Sequence, residues 1–149
     1  MPSDGVSVKR ILSARRDRVF EAWTRPELMG RWFFPGAGWT AEVTSDLRVG
    51  GRYELAMRDA AGVRHLQFGE YREIVPVSRL VFTWSCPDLE VTGSVVTVEL
   101  IDRGERTELL LTHDLPPDPK IRRGHEEGWV GCLGNLEEMF GHHPSRRQT

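Results

Sequence analysis

The sequence predicts an α+β domain: a curved antiparallel sheet of about six to seven strands wrapped around one long C-terminal helix, with two short helices after the first strand. Three observations carry this. The hydrophobic period is close to two between Thr40 and Asp114, helical over Lys120 to Phe140, and helical again in two short runs before Pro35. A sheet that buries one face needs a cover, and the terminal segment is the only one long enough to supply it.

The elements follow in order. "VSVKRIL" (residues 6–12) reads as a strand, apolar at Val6, Val8 and Leu12. Ser13 is a candidate cap for the helix "ARRDRVFEAWT", in which Val19, Phe20 and Trp23 fall at helical spacing. Pro26 suits the first turn of a second helix, "PELMGRWF", with Leu28, Met29, Trp32 and Phe33 on its apolar side. "TAEVTSD" begins the strands. "GGRYELAMR" alternates with Tyr53, Leu55 and Met57 on one face, and "DAAG" turns it into "VRHLQFGEYREIV", which Pro76 stops. The register of that strand over residues 63–75 stays open, because a bulge at Gly69 would move Tyr71 or Arg72 inward. "RLVFTW", "SVVTVELID" and "TELLLTHD" complete the set, the last two joined tightly through "RGE". "PPDP" breaks the chain before the terminal helix, whose stripe is Ile121, His125, Gly128, Trp129, Cys132, Leu136 and Phe140.

At 149 residues the chain reads as a single domain over 1–149, with an ordered core from about 6 to 140 and a tail beyond. That length buries roughly 70% of the unfolded surface, enough for a core without disulfides or metal. Net charge is -2 with both signs interspersed, which argues against nucleic acid as partner. No long apolar run is present, so neither a signal peptide nor a membrane span is expected. Cys86 and Cys132 share no CxxC spacing and fit a reducing compartment, so a cytoplasmic location is the expectation.

The order of elements and five stretches resemble the activator of 90-kDa heat-shock protein ATPase homologue-like family, within the START-like (SRPBCC, helix-grip) superfamily. The stretches are "RVFEAWTRPELMGRWF", "VGGRYELAMRDAAG", "GEYREIVPVSRLVFTW", "VTVELIDRGERTELLLTH" and "HEEGWVGCLGNLEEM". The resemblance implies a sheet gripping the terminal helix with a hydrophobic cavity between them. Across the superfamily that cavity binds apolar molecules, and in some members it is an enzyme site. The eponymous co-chaperone carries a further N-terminal domain that engages the chaperone, for which this chain has no room, so chaperone activation is not the expected inheritance.

Expected cavity walls are Trp32 and Phe33 from the second helix, and Tyr53, Leu55, Met57, Phe68, Phe82 and Trp84 from the strands. His113, His125, Trp129 and Cys132 complete the candidate set. "HEEGW" begins like the zinc signature H-E-x-x-H, but Trp129 stands where the second histidine belongs, so no metal and no cofactor are expected. His113 and His125 fall on inward faces and can meet at one end of the cavity. The plainer reading of each is a histidine hydrogen-bonded to its neighbours. Glu126 and Glu127 complement the helix dipole, and Gly128 marks either a close approach of the helix to the sheet or space for a ligand. Cys132 reads as a small buried hydrophobe.

The leading functional expectation is a binding module for a hydrophobic or amphipathic small molecule, oriented by His113, His125 and Tyr53. The alternative is a cyclase-, dehydratase- or hydrolase-like enzyme working through His113 with His125 or Glu126. A third is a protein-interaction role, co-chaperone-like or as a homodimer, which exposed aromatic residues around Trp39 or Trp84 would favour.

Overall fold

A computed structural model describes residues 5–141, so the histidines His142 and His143 and the expected tail beyond residue 141 lie outside the described residues. The sheet has seven antiparallel strands: β1 (Gly5–Leu12), β2 (Thr40–Ser45), β3 (Arg52–Arg58), β4 (Arg64–Val75), β5 (Arg79–Cys86), β6 (Val91–Arg103) and β7 (Arg106–Asp114). Their spatial order is β1-β7-β6-β5-β4-β3-β2. The path therefore runs from β1 at one edge, crosses to the other through α1 (Arg16–Thr24) and α2 (Pro26–Met29), and returns as a six-strand meander. Helix α3 (Pro119–Met139) then covers the inner face.

Local chemistry explains most boundaries. Asp118 caps α3 by accepting from the backbone N–H groups of Lys120 and Ile121, and Pro119 sits in the first turn, where a missing N–H costs nothing. Gly104 takes φ 76° in the β6–β7 turn, a left-handed conformation that glycine adopts without strain. Two expected boundaries change. Ser13 does not cap α1: Arg15 is the N-cap residue and its side chain makes no capping bond. Helix α2 stops at Met29, and residues 30–32 continue in turns, which lets Trp32 and Phe33 drop into the core.

Strand alternation places Tyr53, Leu55 and Met57 inward, together with Leu80, Phe82 and Trp84 of β5 and Leu109, Leu111 and His113 of β7. Strand β4 departs from expectation. Gln67 and Tyr71 are buried while Phe68 is only half-buried, so Phe68 faces away from the helix. The reason is cross-strand register: Tyr53 pairs with Gly69, Leu55 with Gln67 and Met57 with His65, and inward neighbours must share a face. The irregularity in β4 falls between Tyr71 and Glu73 rather than at Gly69. Tyr71 is therefore inward by ordinary alternation, and Arg72 is exposed.

The middle of the grip is solid. Trp23, Trp32, Phe33 and Trp129 form an aromatic block, with Trp32 and Phe33 stacked at 4.5 Å and Trp23 edge-on to Trp32 at 4.6 Å. Trp32 Nε1 donates to the Ala22 carbonyl at 2.9 Å, so the indole's polar edge is satisfied inside the core.

Candidate functional site

Space remains at one end of the grip. A pocket of about 430 Å³ opens between the N-terminal half of α3 and the β3–β5 end of the sheet. Strands contribute Met57, Gln67, Trp84 and Cys86; α3 contributes His125, Gly128, Trp129 and Cys132. The loop after α2 adds Pro35 and Trp39, and the 3-10 turn Pro87–Leu89 adds Asp88 and Leu89. Five of the expected wall residues are brought together here: Met57, Trp84, His125, Trp129 and Cys132.

The others sit elsewhere. Trp32, Phe33, Tyr53, Leu55 and Phe82 are core residues away from this pocket, and Phe68 is on the outer face. Tyr53 does not present a free hydroxyl, because it donates to the Thr83 carbonyl at 2.5 Å. Burial raises its pKa well above the ordinary phenol value, with Tyr71 adding to the effect. Gly69 makes that contact sterically feasible: a Cβ there would stand 2.7 Å from the Tyr53 hydroxyl and 1.9 Å from the Thr83 carbonyl oxygen.

His113 and His125 do meet, edge to face, with ring centroids 5.1 Å apart. Their hydrogen bonds distinguish them. Trp129 Nε1 donates to His113 Nδ1 at 3.0 Å, which fixes that nitrogen as an acceptor. His113 Nε2 then carries the proton and donates to Ser94 Oγ at 2.8 Å, and Ser94 Oγ donates onward to the Trp84 carbonyl. Burial, then the neighbouring His125, lower the His113 pKa to about 3, so it is neutral. Both of its nitrogens are occupied.

His125 donates from Nδ1 to the Ile121 carbonyl at 2.9 Å, one helical turn back. Burial lowers its pKa, partly offset by that bond. Its Nε2 is therefore a buried lone pair, and it has no hydrogen-bond partner. Gln67 Oε1, an acceptor, and Trp84 Nε1, a donor, are also buried without a partner, while Gln67 Nε2 donates to Cys86 Sγ at 3.5 Å. An unpaired buried polar group costs about 1–3 kcal/mol. Burial pushes both thiols, Cys86 and Cys132, up from their ordinary pKa, so neither is a ready nucleophile.

The pocket rim holds a cluster that the sequence reading did not single out. His65 bridges Asp59 of the β3–β4 turn, at 3.0 Å, and Asp88 of the 3-10 turn. The hydrogen bonds to Asp59 and then Asp88 raise its pKa, and the same contact with His65 lowers that of Asp59. Trp39 stacks on the imidazole at 5.1 Å. The one available signal was Asp59 opening the "DAAG" turn, where its side chain also accepts from the N–H groups of Ala61 and Val63.

Glu126 and Glu127 are exposed, and nothing lies within 4 Å of a Cβ placed on Gly128. Gly128 thus leaves space beside the pocket, and the close approach of the helix occurs one turn later at Gly131. Among the described residues no three His, Cys, Asp or Glu side chains group as a metal site, and no helix is long and apolar enough to cross a membrane.

The family model described as "Activator of Hsp90 ATPase homolog 1-like protein" matches residues 13–141. The chain belongs to that family. A solved structure of a Chromobacterium violaceum protein is similar at 26% identity and TM-score 0.79, over 92% of this chain and 96% of that one. A Plasmodium falciparum protein described as an HSP90 activator is similar at 28% identity and TM-score 0.70, over 91% of this chain and 95% of that one. A protein of the dynemicin biosynthetic locus, at 24% identity and TM-score 0.74, covers 92% of this chain and 47% of that one, and shares the fold. No curated protein sequence matches the chain. The seven-strand sheet around α3 is the helix-grip arrangement of this START-like family member.

Proposed function

We propose that this chain is a binding protein for a hydrophobic or amphipathic small molecule, held between α3 and the β3–β5 end of the sheet. The observation that carries the reading is the pocket itself: about 430 Å³, walled by Trp39, Trp84, Trp129, Met57 and Leu89. That volume lies within the ~300–1,000 Å³ of ordinary small-molecule sites, which are likewise mostly apolar with a few polar groups. Burial of the ligand's apolar surface drives association at roughly 25 cal/mol per Å², before ordering costs. A cytoplasmic setting fits the two free, buried thiols.

The enzyme reading has weaker support. An acid–base pair of His113 with His125 needs a free nitrogen on each ring, and those of His113 are taken by Trp129 and Ser94. Glu126 faces solvent. A chaperone partner or a homodimer rests on the family likeness, without help from the residues expected to mark it: Trp84 is buried and Trp39 is half-buried against His65.

The test is native mass spectrometry of the freshly purified chain, followed by titration with an apolar fluorophore while tryptophan emission is recorded. A one-to-one adduct or saturable quenching is expected, since Trp84 and Trp129 line the pocket. Gly128→Leu, which fills the open space beside the helix, should weaken uptake about tenfold or more. An unliganded mass together with no fluorescence change at any concentration would sink the reading.

A further inference from the structure

One side chain joins the elements that ring the pocket mouth. The mouth is bounded by the loop after α2, the β3–β4 hairpin, the 3-10 turn Pro87–Leu89 and the N-terminal half of α3. His65 touches the first three: Trp39 stacks on its ring at 5.1 Å, Nε2 meets Asp59 Oδ2 at 3.0 Å, and Nδ1 meets Asp88 Oδ2. Helix α3 in turn leans on the 3-10 turn, since a Cβ on Gly124 would stand 3.4 Å from Leu89 Cδ2. The 3-10 turn thus closes the gap between β5 and α3, and His65 is its polar tie.

The two carboxylates are not equivalent. Asp59 Oδ1 accepts from the N–H groups of Ala61 and Val63, so that carboxylate is held in place with or without His65. Among the described residues the Asp88 carboxylate bonds only to His65, and its side chain is 54% exposed. The turn is thinly fastened otherwise. Pairing of β5 with β6 slips between Trp84 and Cys86, and Glu90, which closes the turn, is held at φ 58°, a left-handed conformation that strains a residue with a Cβ. An imidazolium has two N–H groups and serves both carboxylates, whereas a neutral imidazole has one. The remaining N–H stays with the pre-positioned Asp59, and Asp88 then faces a lone pair on Nδ1.

The other titratable and charged groups leave that choice intact. Arg58 and Arg64 pair on the opposite face of β3 and β4. Cys86 of β5 is kept toward the uncharged thiol by burial, and His125 of α3 toward the neutral imidazole. Glu127 of α3 lines the same pocket with the sign of Asp59 and Asp88.

Resting on the binding reading above, we propose that His65 is a proton-operated clasp on the pocket: with both ring nitrogens protonated it ties the 3-10 turn across the mouth, and with Nδ1 deprotonated it keeps Asp59, frees Asp88 and lets the turn open a path between β5 and α3. Its bonds to the two carboxylates raise its pKa, so the clasp is closed at pH 6 and opens as pH rises through the raised value.

The test compares amide hydrogen exchange of residues 88–93 in the native chain and Asp88→Ala at pH 6 and pH 9. The variant should exchange about fivefold faster than native at pH 6 and equally fast at pH 9. The variant-to-native ratio is taken at each pH, so the intrinsic pH dependence of exchange cancels. Asp88→Asn offers an amide N–H or a carbonyl oxygen to either form of the ring, and should exchange more slowly than native at pH 9. The same Asp88→Ala ratio at both pH values, no acceleration at pH 6, or equal acceleration in the amides of β7 overturns the clasp. Stopped-flow uptake of N-phenyl-1-naphthylamine, an uncharged fluorophore, should be several-fold slower at pH 6 than at pH 9 for the native chain and fast at both for Asp88→Ala. Equal uptake by native and variant at pH 6 overturns control of entry. Absence of uptake at either pH counts against the binding reading, and the exchange ratios still decide the clasp.

Discussion

The rings of His113 and His125 stand edge to face, 5.1 Å apart, one from the last strand and one from the final helix. Two imidazolium ions at that separation would repel each other in a site already poor in water. Burial is the larger cause of the His113 shift to about 3, with His125 adding to it. In the unfolded chain both rings take a proton near pH 6.5; in the folded chain His113 takes none until about pH 3. The unfolded state therefore binds more protons below pH 6.5, so stability is full above that pH and falls as acid is added. For His113 alone the slope is about 1.4 kcal/mol per pH unit, or roughly 2 kcal/mol by pH 5. Urea midpoints at pH 7 and pH 5 measure this, and His113→Gln should start lower at pH 7 yet fall less between the two. A native chain equally stable at both pH values contradicts a neutral buried His113.

At the pocket rim the sign is opposite. His65 is raised by its bonds to Asp59 and Asp88, so the folded chain holds a proton that the unfolded one releases. Its stabilisation is fully present below pH 6.5 and is lost as pH rises through the raised folded value. A neutral imidazole has one N–H, so one of the two carboxylates then loses its donor. The side chains are partly exposed, His65 by 24% and Asp88 by 54%, so solvent screening holds the contribution to about 1 kcal/mol or less. His65→Gln should consequently destabilise the chain more at pH 6 than at pH 9. The same deficit at both pH values would remove the ion pair from the rim.

These opposed titrations also mark what was legible in the sequence. Where one face is apolar and the other charged, as in "RYELAMR" of β3, alternation assigns both faces correctly. Strand β4 carries Leu66 and Phe68 on one face and His65, Gln67 and Gly69 on the other, so hydrophobicity points the wrong way and only pairing with β3 resolves it. Hydrophobicity alone turns Phe68 inward, whereas the pairing buries Gln67 and puts it in the pocket wall. The His113 bonds were illegible for a different reason: they join β6, β7 and α3, and no local spacing encodes a contact between Ser94, His113 and Trp129. Gly128 stands out in a helix by residue type alone, but the residues that seat the helix, Gly131 and Asn135, lie one and two turns further along.

That seating makes a paired prediction about glycines on one helix. A Cβ on Gly131 would stand 1.9 Å from the Pro35 carbonyl oxygen, a backbone atom that cannot swing aside. One turn on, Asn135 donates to the carbonyls of Phe34 at 2.8 Å and Trp32 at 3.3 Å, so the helix is fastened to residues 32–34 one turn beyond the close approach. Gly134 has nothing within 4 Å of its Cβ position. Alanine there removes backbone freedom from the unfolded chain without a clash, which should stabilise by up to about 1 kcal/mol. Alanine at position 131 must instead push α3 off the loop, costing about 1–3 kcal/mol as overpacking does. Urea midpoints of Gly131→Ala and Gly134→Ala should move in opposite directions. If both rise, the helix tolerates displacement from Pro35, and the aromatic block around Trp129 rather than this contact sets its position.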